Sequence, residues 1–201
     1  MLRSSRKSYY CAIIAKSPAY SAIVARNDEP FVRFLLSHGA NPNLGPPVYY
    51  TETAVAAMRT SPTSGAALGA AAANATPAIF SLLLSHGANL SYAIPLHSAA
   101  AASNRPPGER IPMMAYLVSL GVDVNGDDDV MGPARKGTPL LYAALWRRVE
   151  EARWLLERGA DPDKRMTWGN TPREYVVRMK IEKMIELFSE YGSKKEVVVG
   201  Q

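Results

Sequence analysis

The sequence predicts an all-α repeat solenoid, a stack of helix–turn–helix units joined by projecting connections. Three observations carry that reading: a Thr-Pro pair that opens one helix, a Gly that closes the next, and a constant spacing between them. The most regular copy runs from Gly137 to Asp163, GTPLLYAALWRRVEEARWLLERGADPD. Thr138 supplies a capping oxygen, and Pro139 at the first helical position loses only an N–H that has no helical partner there. The residues Trp146 to Val149 interrupt the apolar pattern before a second segment carries Trp154, Leu155 and Leu156. Gly159 ends the unit, because helices commonly stop on a residue in the left-handed conformation.

The same punctuation recurs. Openings read Ser17-Pro18, Thr53-Ala54, Ile94-Pro95-Leu96-His97, Thr138-Pro139-Leu140 and Thr171-Pro172, and the closing glycines are Gly39, Gly87, Gly121, Gly159 and Gly192. Thr138 and Thr171 stand 33 residues apart, as do Gly159 and Gly192. A period of about 33 residues belongs to a turn plus two helices. Ile94-Pro95-Leu96-His97-Ser98-Ala99-Ala100 resembles the T-P-L-H-x-A-A signature of ankyrin repeats, and the resemblance extends over residues 17–192. It implies five repeats, at about 17–49, 50–90, 91–125, 135–163 and 168–192, with β-hairpin or loop fingers between them. Residues 1–16 then read as an N-terminal cap or tail and 193–201 as a C-terminal tail. The resemblance also implies that His97 ties a loop to a helix by a hydrogen bond.

Composition agrees with a globular chain. Of 201 residues, 47% are apolar and 20% charged, and the net charge of +5 describes affinity for acidic partners without bearing on fold. Cys11 is the sole cysteine, which excludes an intramolecular disulfide framework and a cysteine-rich zinc site. It fits a reducing compartment, the cytoplasm or nucleus. No apolar run approaches the roughly 18 residues needed to span a bilayer. Residues 1–16 carry Arg3, Arg6, Lys7 and Lys16 with no acid, so a mitochondrial presequence is the alternative to a cap.

Taken in order, the first repeat places Phe31, Phe34, Leu35 and Leu36 on its second helix, with Asp28 as cap and Pro30 just inside. The second opens at Thr53 and closes at Gly87, 34 residues on, against 21 in the last two repeats. The 13 extra residues fall within RTSPTSGAALGAAAANATP, expected to be a mobile loop or a marginal extra helical turn, with Ser61–Asn74 the stretch a protease meets first. Thr76-Pro77 restarts the second helix. The third repeat has six extra residues at Asn104–Glu109, a loop. The fifth has Arg173 and Glu174 where the family prefers Leu-His, which suits a cap facing water. Closing Gly to next opening spans 14, 7, 17 and 12 residues, so the finger after Gly87 is nearly absent and the one after Gly121 is long.

Catalytic and metal-binding patterns are not found. His97 fills the signature position, while His38 and His86 each precede a closing Gly, where a helix C-terminus favours partial positive charge. Asp127-Asp128-Asp129 lacks the alternation, central Gly and terminal Glu of a calcium loop, and reads as a solvated finger tip. Phosphate loops, nucleotide-binding glycine triplets and nucleophile elbows do not occur. No enzyme activity, cofactor or metal is expected.

Ankyrin arrays bind proteins through the fingers and first helices, and transferring the family's contact positions selects residues here. They are Tyr49, Tyr50 and Glu52; Leu90, Ser91 and Ala93; Arg135, Leu145 and Trp146; and Thr167, Trp168, Asn170 and Met179. Tyr, Trp, Met and Arg are the types enriched at interface cores. Packing competes for two of them, with Trp168 covering a neighbouring finger and Trp146 lying under the 104–109 insert. Trp154 takes a leucine slot and belongs to the core. Pro95, Leu96, His97, Thr138, Pro139, Leu140, Gly159, Thr171 and Pro172 serve structure. The expected function is a monomeric, non-catalytic module that binds an unidentified protein, with no nucleic acid or membrane as partner. The alternatives are a binder of an acidic partner, nucleic acid or an anionic membrane surface, or a structural fragment of a larger ankyrin protein.

Overall fold

The computed structural model describes residues 24–45, 63–128, 137–167 and 169–198, with side chains to 191. Among these residues every regular element is helical. They are α1 (Glu29–Ser37), α2 (Ala66–Asn74), α3 (Pro77–Ser85), a 3₁₀ turn (Leu90–Tyr92), α4 (Pro95–Ala100), α5 (Ile111–Ser119), α6 (Pro139–Leu145), α7 (Val149–Glu157), α8 (Pro172–Arg178) and α9 (Glu182–Val198). The described connections are turns and carry no strand, so among the described residues the fingers take the loop form. The described residues divide between Pro95 and Leu96 into two compact units.

In the first unit α1 and α2 both pack on α3. Asp28 accepts the Phe31 N–H at the start of α1, as its sequence position requires. The buried stripe is Val32, Leu35 and Leu36, whereas Phe34 is exposed and lies against the His38 ring at a tilt. Thr76 caps α3, whose Ile79, Phe80 and Leu83 are fully buried. Burying such a side chain contributes about 1.5–3 kcal/mol.

The stretch expected as a protease-sensitive loop is helix α2, which buries Ala67, Leu68, Ala71 and Ala72. Alanine has the highest helix propensity, and its small side chain lets α2 lie close on α3. Gly65 starts α2 22 residues before Gly87, nearly the 21 that separate Thr138 from Gly159. The surplus therefore precedes α2 rather than interrupting its repeat. Thr53 lies outside the described residues.

In the second unit α6 pairs with α7 and α8 with α9, while α6 meets α8 and α7 meets α9. Thr138 accepts the Leu141 N–H, and Thr171 forms a capping box with Glu174. At Gly39, Gly87, Gly121 and Gly159 the φ angles are 85–87°, and the same two bonds close each helix. At the last of these, Gly159 N–H donates to Leu156 O and Ala160 N–H to Leu155 O, the bond pair of a Schellman stop. Gly192 behaves differently: α9 runs through it to Val198. The first four glycines are followed by an Asn or Asp two residues on, which folds the chain into a turn; Gly192 is followed by Ser-Lys-Lys, which continues a helix.

Those turns also join neighbouring repeats. Asn125 Nδ2 donates to Gly159 O at 2.9 Å, and its Oδ1 accepts the Asp161 N–H at 2.8 Å. Asn43 makes the equivalent pair with Gly87 O and Asn89 N in the first unit.

Candidate partner-binding face

The first helices end on exposed apolar side chains. Leu145 closes α6 and is 38% exposed, and Trp146, its C-terminal capping residue, is 55% exposed. Met179 holds the same place after α8, one repeat further on, and is 52% exposed. More than half of Trp146 is open to solvent at the turn ending α6. Trp154 lies in the core, with the Arg158 guanidinium 3.9 Å above its ring.

Toward the other end of α8, Met166 N–H donates to Asn170 O and Gly169 N–H to Met166 O. Thr167 is exposed and Asn170 half-buried there. Leu90 and Ala93 are half-buried and Ser91 exposed around the 3₁₀ turn. Tyr49, Tyr50, Glu52, Arg135 and Trp168 lie outside the described residues.

The structural positions lie inside the helix packing. Pro95, Leu96, Thr138, Pro139, Leu140, Thr171 and Pro172 are buried. His97 Nε2 lies 2.9 Å from Gly137 O; a carbonyl only accepts, so Nε2 carries the proton. The bond holds the residue before the Thr138 cap, so the histidine of one repeat fixes the start of the next helix pair. Burial holds this imidazole below its ordinary value, against the opposing pull of the Gly137 carbonyl and Asp128. His38 and His86 each direct Nδ1 to the carbonyl four residues earlier, at 2.8 and 2.9 Å.

Two charged features depart from the expected solvated surface. Asp128 is fully buried and accepts a hydrogen bond from Tyr142 Oη, while exposed Asp127 pairs with Lys164 at 3.0 Å. Asp128 thus fastens its connection to α6 and Asp127 fastens it to the connection after α7, where a solvated finger tip was expected; Asp129 lies outside the described residues. Arg148 and Glu151 form a buried ion pair at the start of α7. Arg148 donates to Arg105 O and Pro106 O, and Glu151 Oε1 accepts the Gly108 N–H. Together they clamp the 104–109 insert, next to Arg110, whose guanidinium burial pushes below its ordinary value. Glu151 carried a legible signal: it occupies the helix slot that Ile79 and Met113 fill elsewhere.

Arg173 is likewise more than a water-facing substitution. It pairs with Asp163 at 2.8 Å and donates to Phe188 O, joining the connection, α8 and α9.

Comparison with known proteins meets this geometry at its most regular unit. The family model described as "Ankyrin repeat" matches residues 135–164, from before the Thr138 cap to just beyond Gly159. The chain carries an ankyrin repeat over these residues. It is similar to "Ankyrin repeat and SOCS box protein 6" of Pongo abelii and of Homo sapiens, each 34% identical over 137 residues. The matched segment is 63% of this chain and 27% of each relative, so the chain spans about a quarter of the length of these relatives. In the ankyrin frame, Leu145, Trp146 and Met179 stand where the first helix meets the turn to the second. Among the described residues no group of three or more His, Cys, Asp or Glu side chains could hold a metal ion, and no helix is long and apolar enough to cross a membrane.

Proposed function

We propose that this chain is a non-catalytic protein-binding module whose partner contacts the C-terminal ends of the first helices α6 and α8. Ankyrin repeats are in general protein-interaction modules. The observation that carries the reading here is the pair Trp146 and Met179, placed one repeat apart and each more than half exposed. Large apolar side chains at matched positions on adjoining helices are surface that burial against a partner would stabilise, and Trp is the strongest hot-spot type. Thr167 and Asn170 belong to the same proposed surface by their place in the repeat, while Tyr49, Tyr50, Glu52, Arg135 and Trp168 are proposed contact positions on the ankyrin resemblance alone.

Affinity capture from native lysate tests this, with wild type beside Trp146→Ala/Met179→Ala. Both side chains are exposed, so the double variant should keep its circular dichroism spectrum. A protein held by wild type and lost by the folded variant is the expected result. Equal capture of every bound protein by both would remove α6 and α8 from the binding surface.

A further inference from the structure

The turn edge next to Trp146 and Met179 is built from cations and apolar side chains, and that mixture specifies a partner. We infer that the segment bound there is an acidic peptide carrying apolar anchor residues, an inference that rests on the protein-binding reading above. Arg147, Arg178 and Lys180 follow or accompany the exposed apolar residues, and Lys183 stands one helical turn further on. None of these four has a carboxylate partner among the described residues. Elsewhere Arg33, Arg153, Arg158, Lys164 and Arg173 each do, at 2.7–3.8 Å.

Beside this edge lies a groove of about 620 Å³, lined by Pro107, Val149 and Ile181 as well as Arg147, Lys180 and Lys183. Glu150 and Glu182 also line it, so its cations exceed its acids by one, and Arg178 at the adjoining edge adds to that excess. A side chain of modest size fits over the three apolar residues while flanking carboxylates meet Arg147 and Lys180. Charge complementarity of this kind selects partners and raises association rates. The apolar lining of the groove itself, Pro107, Val149 and Ile181, is non-aromatic, so it packs a peptide's apolar side chain but offers no ring for a base to stack on.

The test is selection of a random 12-residue peptide library on the full chain. Winning peptides are then measured by fluorescence polarisation against wild type and two variants. Arg147→Asn/Lys180→Asn removes both charges while keeping a residue that tolerates the left-handed backbone found at these positions (φ 54° and 51°). Trp146→Ala/Met179→Ala removes the apolar anchors.

The expected result is enrichment of Asp and Glu beside Leu, Phe, Met or Trp, with affinity falling about tenfold or more on each variant and with added salt. Neutral or basic winners, or no winners, would overturn the inference. So would acidic winners that bind the Asn variant undiminished. Loss on the Ala variant alone would leave the α6–α8 surface standing without its acidic specificity, whereas indifference to both variants would sink the two together. Tighter binding of a 20-nucleotide thymidine oligomer than of any peptide, lost on the Asn variant, would assign the edge to nucleic acid instead.

Discussion

Arg148 Nη2 and Glu151 Oε1 lie 2.6 Å apart with their side chains 6% and 0% exposed, and between them they hold the backbone of residues 105, 106 and 108. A single pair of charges thus substitutes for apolar packing at the point where the 104–109 insert leaves the regular repeat. Removing either partner strands the other charge in the interior. Arg148→Ala or Glu151→Ala should each cost about 3–5 kcal/mol in urea unfolding. The double variant should cost less than the sum, since no unpaired ion remains. Each single variant should also admit a glutamate-specific protease at Glu109. Additive losses with an intact loop would show that the pair acts as two independent groups.

Gly65 has no room for a side chain. A Cβ there would overlap Tyr92 O and lie 2.5 Å from Ala93 Cα, both backbone atoms of the turn before α4. Gly65→Ala should therefore lower stability by about 1–3 kcal/mol, the usual cost of overpacking, with a matching fall in the urea midpoint. An unchanged midpoint would mean that α2 and the 90–93 turn are free to separate.

Arg147 and Lys180 occupy left-handed backbone at the turn between the two helices of their repeats, at φ 54° and 51°. Long side chains are strained there and glycine is not, while both residues are exposed and lose little packing. Arg147→Gly and Lys180→Gly should each raise stability by roughly 0.5–1 kcal/mol, the strain relieved less the added entropy of the unfolded chain. Thermal melts of the two single variants check this; a lower Tm would assign the side chains a packing role.

His97 makes stability depend on pH. Burial depresses its folded value below the ordinary imidazole value of about 6.5, so the unfolded chain binds the proton more readily. The sign follows directly: the contribution is complete above about pH 6.5 and is lost as pH falls through the folded value. Wild type should lose more stability between pH 7.5 and 5.5 than His97→Gln, which retains an N–H for Gly137 O. The difference is bounded by about 1.4 kcal/mol per pH unit. Parallel pH profiles would show that His97 titrates alike in both states.

The described helix starts and stops other than the one expected at Gly192 were legible in the chain because their causes are local. Thr138, Thr171 and Asp28 cap helices through an N–H three residues away, and Gly159 with its equivalents stops them through two bonds within five residues. Whatever depended on partners distant in sequence was not legible. Glu151 stands in an apolar helix slot, but no local pattern names Gly108, 43 residues away, as its partner, and Asp128 reads as a loop tip until Tyr142 folds over it. The Ala-rich stretch 66–74 has too little polar contrast to show a helical period, and α3 supplies the surface that makes it a helix. Trp146 shows the converse: neither its type nor its spacing tells a core side chain from an exposed one. Periodicity and capping act over a turn of helix, whereas burial is a property of what the rest of the chain brings alongside.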